Sequence, residues 1–89
     1  MTSVPNHIKR MANDRALIVS ARVGRNGLTT AIVEELTDQL NNRSLVKIKV
    51  NKGVVENTAE RSHLFSEIAK LTDSHLVFHR GNVAVFWKP

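Results

Sequence analysis

Two glycines three apart, Gly24 and Gly27, enclose Arg25 and Asn26 in the stretch "RVGRNGLTT", and Leu28, Thr29 and Thr30 follow. Glycine lets a backbone pass close to another group because no Cβ intervenes. Arginine adds a charged fork, and asparagine adds donors and an acceptor. If such a loop opens a helix, the unpaired N–H groups of the first turn and the positive end of the helix dipole point to the same place. That combination suits a phosphate oxygen. A G-x-x-G alone marks a plain turn at least as readily as a binding loop, so the flanking sequence must decide. A mononucleotide P-loop does not fit, because no lysine follows Gly27, and the third glycine of a dinucleotide fingerprint is missing.

A second set of candidates lies in "SLVKIKVNK", where Lys47 and Lys49 share the face opposite Val46, Ile48 and Val50. Arg22 takes the corresponding polar face of "ALIVSARV", and Lys52 follows the second run. If the two runs are neighbouring strands, Arg22, Lys47 and Lys49 form a positive patch beside the loop. Like charges on one face repel each other, and a polyanion relieves that repulsion. The plain alternative is a solvated sheet face. The whole chain supports the first reading, with a formal charge of +5 in 89 residues. Residues 1–30 and 43–54 each carry a net +4, whereas residues 31–42 carry −3. Such a balance favours acidic partners: RNA, DNA or an anionic membrane face.

No catalytic or metal-ligating set stands out. His7, His63, His75 and His79 have no metal-site spacing, and there is no cysteine to supply a thiolate or a disulfide. Glu34 and Glu35 are adjacent on a helical pattern and diverge rather than pair across a substrate. Aromatics are few, namely Phe65, Phe78, Phe86 and Trp87, so the stacking platform of an RRM sheet is missing. The expectation is a binding protein, not an enzyme, with no metal or other cofactor.

The elements that must position these residues follow from periodicity. Residues 16–23 alternate as a strand, with Leu17, Val19, Ala21 and Val23 on one apolar face. Ile32, Val33, Leu36 and Leu40 then follow helical spacing, with Thr29 or Thr30 as the cap and Asn41 and Asn42 as the end. The "LVKIKV" strand comes next. Asn57 and Glu60 resemble a capping box that opens a helix whose buried stripe is Leu64, Phe65, Ile68 and Leu71. The last segment reads as two strands around Gly81-Asn82, with apolar residues on both faces. Near the N-terminus, "PNHIKRMA" allows one or two helical turns, with Ile8 and Met11 on one face.

A chain of 89 residues is expected to form one domain, with a core spanning 16–89 and a short extension at 1–15. Strands separated by helices suggest crossover units and a terminal hairpin. The expected fold is a two-layer α/β sandwich with helices on one sheet face and the other face at least partly open. No apolar run reaches the length of a membrane span, and no signal peptide is visible, so a soluble cytoplasmic protein is expected. The oligomeric state stays open, with a monomer favoured.

The segments "VGRNGLTTAIVEELTDQL", "LVKIKV" and "HRGNVAVFWKP" together resemble the CRM domain, the YhbY-like RNA-binding module. Members show G-x-x-G-L-T after the first strand, a lysine-alternating second strand, and a closing hairpin that ends near an aromatic, a basic residue and proline. Here these are Gly24, Gly27, Leu28 and Thr29, then Lys47 and Lys49, then Trp87, Lys88 and Pro89. The similarity covers residues 16–89. It implies an α-β-α-β-α-β-β fold with a four-stranded mixed sheet, similar to the C-terminal domain of a bacterial translation initiation factor. It also implies RNA binding through the loop and the adjacent basic surface. Stand-alone members look like assembly factors on large-subunit precursors, which points to ribosomal RNA and ribosome biogenesis; plant members with several copies act in intron splicing. Members often carry a Lys-Pro pair before the first strand's end, where this chain has Ile18-Val19, and the first helix is shorter here.

Two rival readings remain. One is a KH-like or chromatin-type nucleic-acid module, although a KH domain sets its G-x-x-G between two helices. The other is a protein-interaction module in a ribonucleoprotein, docking through the acidic helix of Glu34, Glu35 and Asp38.

Overall fold

The strand Leu45–Val50 organises the molecule because its alternation is the cleanest in the chain: Val46, Ile48 and Val50 are buried on one side while Lys49 is exposed on the other. The computed structural model describes residues 4–89. It holds α1 (Asn6–Ala12), β1 (Val19–Val23), α2 (Thr30–Arg43), β2 (Leu45–Val50), α3 (Thr58–Leu71), β3 (His75–Arg80) and β4 (Val83–Trp87). The sheet order is β1-β2-β4-β3. β1 and β2 are parallel, so the chain between them must cross over, and α2 supplies that crossover. α3 carries the chain to the far edge, and the hairpin brings β4 back between β2 and β3. This is the α-β-α-β-α-β-β fold with a four-stranded mixed sheet that the resemblance implies. Among the described residues, no helix is long and apolar enough to cross a membrane.

Helices α2 and α3 close one sheet face. Leu36, Leu40, Phe65 and Ile68 pack on Val23, Val46, Ile48, Val50, Ala84 and Phe86. Phe65 meets Phe86 edge to face, with ring centroids 6.5 Å apart, the arrangement that ring quadrupoles favour. The opposite face is not simply open. Ala12 of α1 is buried there against Leu45, Val85 and Trp87, with Ile8, Leu17 and Phe78 around them. One helix therefore lies on the face expected to lack helices. β4 is buried on both sides, Ala84 and Phe86 toward one cluster and Val85 and Trp87 toward the other, which explains its unbroken apolar run.

Local chemistry sets the boundaries. Thr29 caps α2: its Oγ1 accepts from the Ile32 N–H at 3.2 Å. α2 continues past Asn41 and Asn42 to Arg43, and Ser44 takes the left-handed turn at φ 65°. Asn57 caps α3 through Oδ1, 2.9 Å from the Glu60 N–H, while the Glu60 carboxylate reaches back to the Glu56 N–H at 2.7 Å. Leu71 is not part of the buried stripe and is 53% exposed. The inward position one residue later belongs to Thr72, whose buried hydroxyl donates to the Ile68 carbonyl at 2.7 Å.

The first segments depart most from simple periodicity. In α1 the inward pair is Ile8 and Ala12, four apart, and Met11 is exposed. β1 starts at Val19, not at residue 16, because Asp14 organises a turn: its Oδ1 accepts from the Ala16 N–H, and its carbonyl from the Leu17 N–H. A register shift between Val19 and Ala21 then reverses the facing of the chain. Leu17 therefore packs with α1, whereas Ala21 and Val23 pack with α2 and α3.

Two substitutions separate the buried stripe from its exposed neighbour. Phe86→Ala is expected to cost about 3–5 kcal/mol, as for a fully buried aromatic, and Leu71→Ala less than about 1 kcal/mol. Urea midpoints at constant m-value measure both.

Candidate nucleic-acid interface

Because β1 and β2 run parallel, the loops leaving them emerge at the same end of the sheet. The Asn51 N–H donates to the Val23 carbonyl at 2.9 Å, which extends the pairing one step beyond the strands. The loop 24–29 and the loop 51–57 therefore start side by side, and each leads into a helix.

The first loop is a tight turn. The Gly27 N–H donates to the Gly24 carbonyl at 2.9 Å, leaving Arg25 and Asn26 at the two central, exposed positions. The two glycines differ in what they supply. Gly27 has φ +67°, a left-handed conformation in which a Cβ is strained. At Gly24 a Cβ would stand 3.7 Å from the Asn51 Nδ2, an ordinary contact. Leu28 then packs toward the core and Thr29 caps α2, so the turn is anchored at both ends. The N–H groups of Thr30 and Ala31, in the first turn of α2, precede its first backbone bond, from the Val33 N–H to the Thr29 carbonyl.

The second loop is also a turn, closed by the Val54 N–H on the Asn51 carbonyl at 3.2 Å, with Gly53 at φ +90°. It projects Lys52 outward and turns Val54 and Val55 against the core. Between the loops lies a cleft of about 500 Å³ lined by Arg25, Asn51, Lys52, Gly53 and Val54. Its lining holds two cations, an amide side chain and no carboxylate. Neither cation is buried, so neither carries the desolvation cost that a charge in the core would.

The remaining basic candidates lie on the sheet. Arg22 and Lys49 are register partners across β1 and β2, both exposed, on the face away from α2 and α3. Lys47 is on that face too, but it is half-buried and its Nζ donates to the Leu17 carbonyl at 3.0 Å. That bond ties β2 to the segment joining α1 and β1. The structure thus gathers Gly24, Arg25, Asn26, Gly27, Leu28, Thr29 and Lys52 at one end of the sheet and sets Arg22 and Lys49 nearby. Lys47 is turned to the segment before β1. Pattern reading missed Asn51, which joins the loops, and Arg15 and Arg80, which line a second cavity with Lys47. Arg80 adjoins the visible Gly81-Asn82 turn, but its place beside β2 depends on strand order.

A model of the CRS1 / YhbY (CRM) domain matches residues 6–88. Among solved structures, the chain is similar to the solution structure of the hypothetical protein SAV1595 from Staphylococcus aureus, described as a candidate RNA binding protein. The TM-score is 0.76 at 21% identity, covering 98% of this chain and 90% of that one. No curated protein matches the sequence significantly.

The two loop glycines are expected to respond differently to a methyl group. Gly27→Ala should destabilise the fold by roughly 1–2 kcal/mol, the cost of left-handed backbone with a Cβ. Gly24→Ala should stay within about 0.5 kcal/mol of the parent. Denaturant unfolding of the pair measures this directly.

Proposed function

Because the chain belongs to the CRS1/YhbY (CRM) domain family, we propose that it is an RNA-binding protein that holds phosphates in the cleft between its two parallel-strand loops. The observation that carries this reading is the convergence of Arg25 and Lys52, from separate loops, on one cleft whose lining holds no carboxylate. A phosphate seated there meets a guanidinium that binds two oxygens at once and an ammonium that acts as a point charge, and the loop that carries Arg25 leads directly into the first turn of α2. Gly27 keeps the turn tight, and Gly24 leaves the approach free of a side chain. The description of SAV1595 as a candidate RNA binding protein supports the same reading.

The RNA proposed is structured ribosomal RNA in a large-subunit precursor, bound in the cytoplasm by a single copy without chemical turnover. Arg22 and Lys49, at the rim, add long-range attraction, and Asn26 is placed to contact a sugar or a base edge. Phosphate contacts dominate, so affinity should fall steeply with salt.

The test is a titration of structured ribosomal RNA fragments across a salt series, with duplex DNA as competitor. Arg25→Glu and Gly27→Asp are expected to weaken binding on the order of tenfold or more, and Arg25→Glu should lower the salt slope by about 1. Aspartate tolerates left-handed backbone better than most residues, so the Gly27 variant keeps its fold. Unchanged affinity and slope in both variants would overturn the loop assignment, and preference for duplex DNA would overturn the choice of RNA.

A further inference from the structure

The sheet carries a second basic feature, on the face away from α2 and α3. α1 covers only part of that face, packing Ile8 and Ala12 near Leu45, Val85 and Trp87, where β2 begins. At the other end, strand register sets Arg22 opposite Lys49, Lys49 opposite Val83, and Val83 opposite Arg80. One row thus crosses all four strands. Alternation fixes its direction: Val23, Ile48, Val50 and Ala84 point into the α2/α3 core, so the row points away. Arg22, Lys49 and Arg80 are exposed. With strands about 4.8 Å apart, the row is about 14 Å long.

We propose that this row is a second RNA-contact surface, along which the phosphate backbone continues from the cleft across the sheet to Arg80. The proposal rests on the RNA-binding reading of the cleft. Three observations carry it. First, the row adjoins the cleft: Arg22 lies two residues before Gly24, and Lys49 two before Asn51, whose N–H is bonded to Val23. Second, the row contains cations and no carboxylate, whereas the exposed carboxylates of Glu34, Glu35 and Asp38 lie on α2, over the other face. One carboxylate, Asp14, lines the cavity beside Arg80 together with Arg15 and Lys47, so the row's face stays net positive. Third, the contact is with phosphates and not with bases, because Phe78 is only half-exposed and Phe65, Phe86 and Trp87 are buried. No exposed phenylalanine or tryptophan ring is left for bases to stack on, and the exposed His79, register partner of the core-facing Ala84, points to the other face.

Near Arg80 the row meets the cavity of about 190 Å³ that Arg15 and Lys47 also line. Lys47 is tied to the Leu17 carbonyl and Asp14 to the Ala16 N–H, so Arg15 and Arg80 are the lining cations without such a tie. Lys47 pairs with Val85, in the next row, and is not counted among this row's contacts.

The test compares pairs that remove equal charge. Lys49→Gln with Arg80→Gln removes two row cations; Arg43→Gln with Lys70→Gln removes two exposed cations from the ends of α2 and α3. Arg25→Gln with Lys52→Gln removes the cleft cations. Probes are a single-stranded uridine oligonucleotide and an RNA duplex of equal length, each titrated across a salt series. The row pair is expected to weaken binding about tenfold at low salt and to lower the log–log salt slope by about 1.4 on the single strand. The duplex reads whether the same contacts are made to a paired backbone, with a slope loss of about 1.8. A row pair that behaves like the Arg43/Lys70 pair on both probes would overturn the proposal. If the cleft pair alone loses binding, the cleft reading stands and the row falls. If the parent binds neither these probes nor ribosomal RNA, both fall. Thermal melts of each pair confirm that the exposed substitutions leave the fold intact.

Discussion

One backbone hydrogen bond, from the Asn51 N–H to the Val23 carbonyl, fixes the geometry on which the candidate site depends. Parallel pairing of β1 with β2 brings the carboxyl ends of both strands together. Ligand sites in open α/β sheets commonly sit outside those ends, because the chain must leave there through loops that open helices. In this chain each loop closes a tight turn and presents one cation at its tip. Neither loop builds a cleft alone. The bond at residue 51 turns two ordinary turns into facing walls.

Alternation along a strand does not by itself assign a job to a charged side chain. Lys47 and Lys49 are two residues apart on one face, yet their environments differ. Lys49 stands on the part of the sheet that α1 leaves uncovered. Lys47 lies where the chain between α1 and β1 passes over, and its ammonium satisfies the Leu17 carbonyl. Its alkyl stem covers apolar surface while its head finds a fixed acceptor. The long-range connection gives two lysines of the same strand face different surroundings.

Most of the fold was legible because period and chemistry agreed. The alternation of β2, the helical spacing of Leu36 and Leu40, and the caps at Thr29 and Asn57 each point to what is found. The G-x-x-G turn was legible for the same reason, since Gly27 occupies a conformation that glycine adopts freely. The unreadable parts depend on contacts distant in sequence. The register shift in β1 reverses the side on which Leu17 packs, and no local pattern announces it. Leu71 fits an apolar helical stripe, but Thr72 fills the inward position by bonding its hydroxyl within the helix. The row from Arg22 to Arg80 joins residues from the first and third strands, and it exists only because β4 inserts between β2 and β3.

That insertion also has a consequence for how the molecule is made. The last strand in chain order occupies an interior position and contributes to both apolar clusters. As the chain emerges from its N-terminal end, β2 has β1 as a partner but an open second edge, and β3 has no partner at all. Neither cluster closes until residues 83–87 arrive. Productive folding therefore waits for residues 83–87, and the long-range pairing of β4 sets its pace. Until then the exposed edges of β2 and β3 are the surfaces that a growing chain must keep from pairing elsewhere.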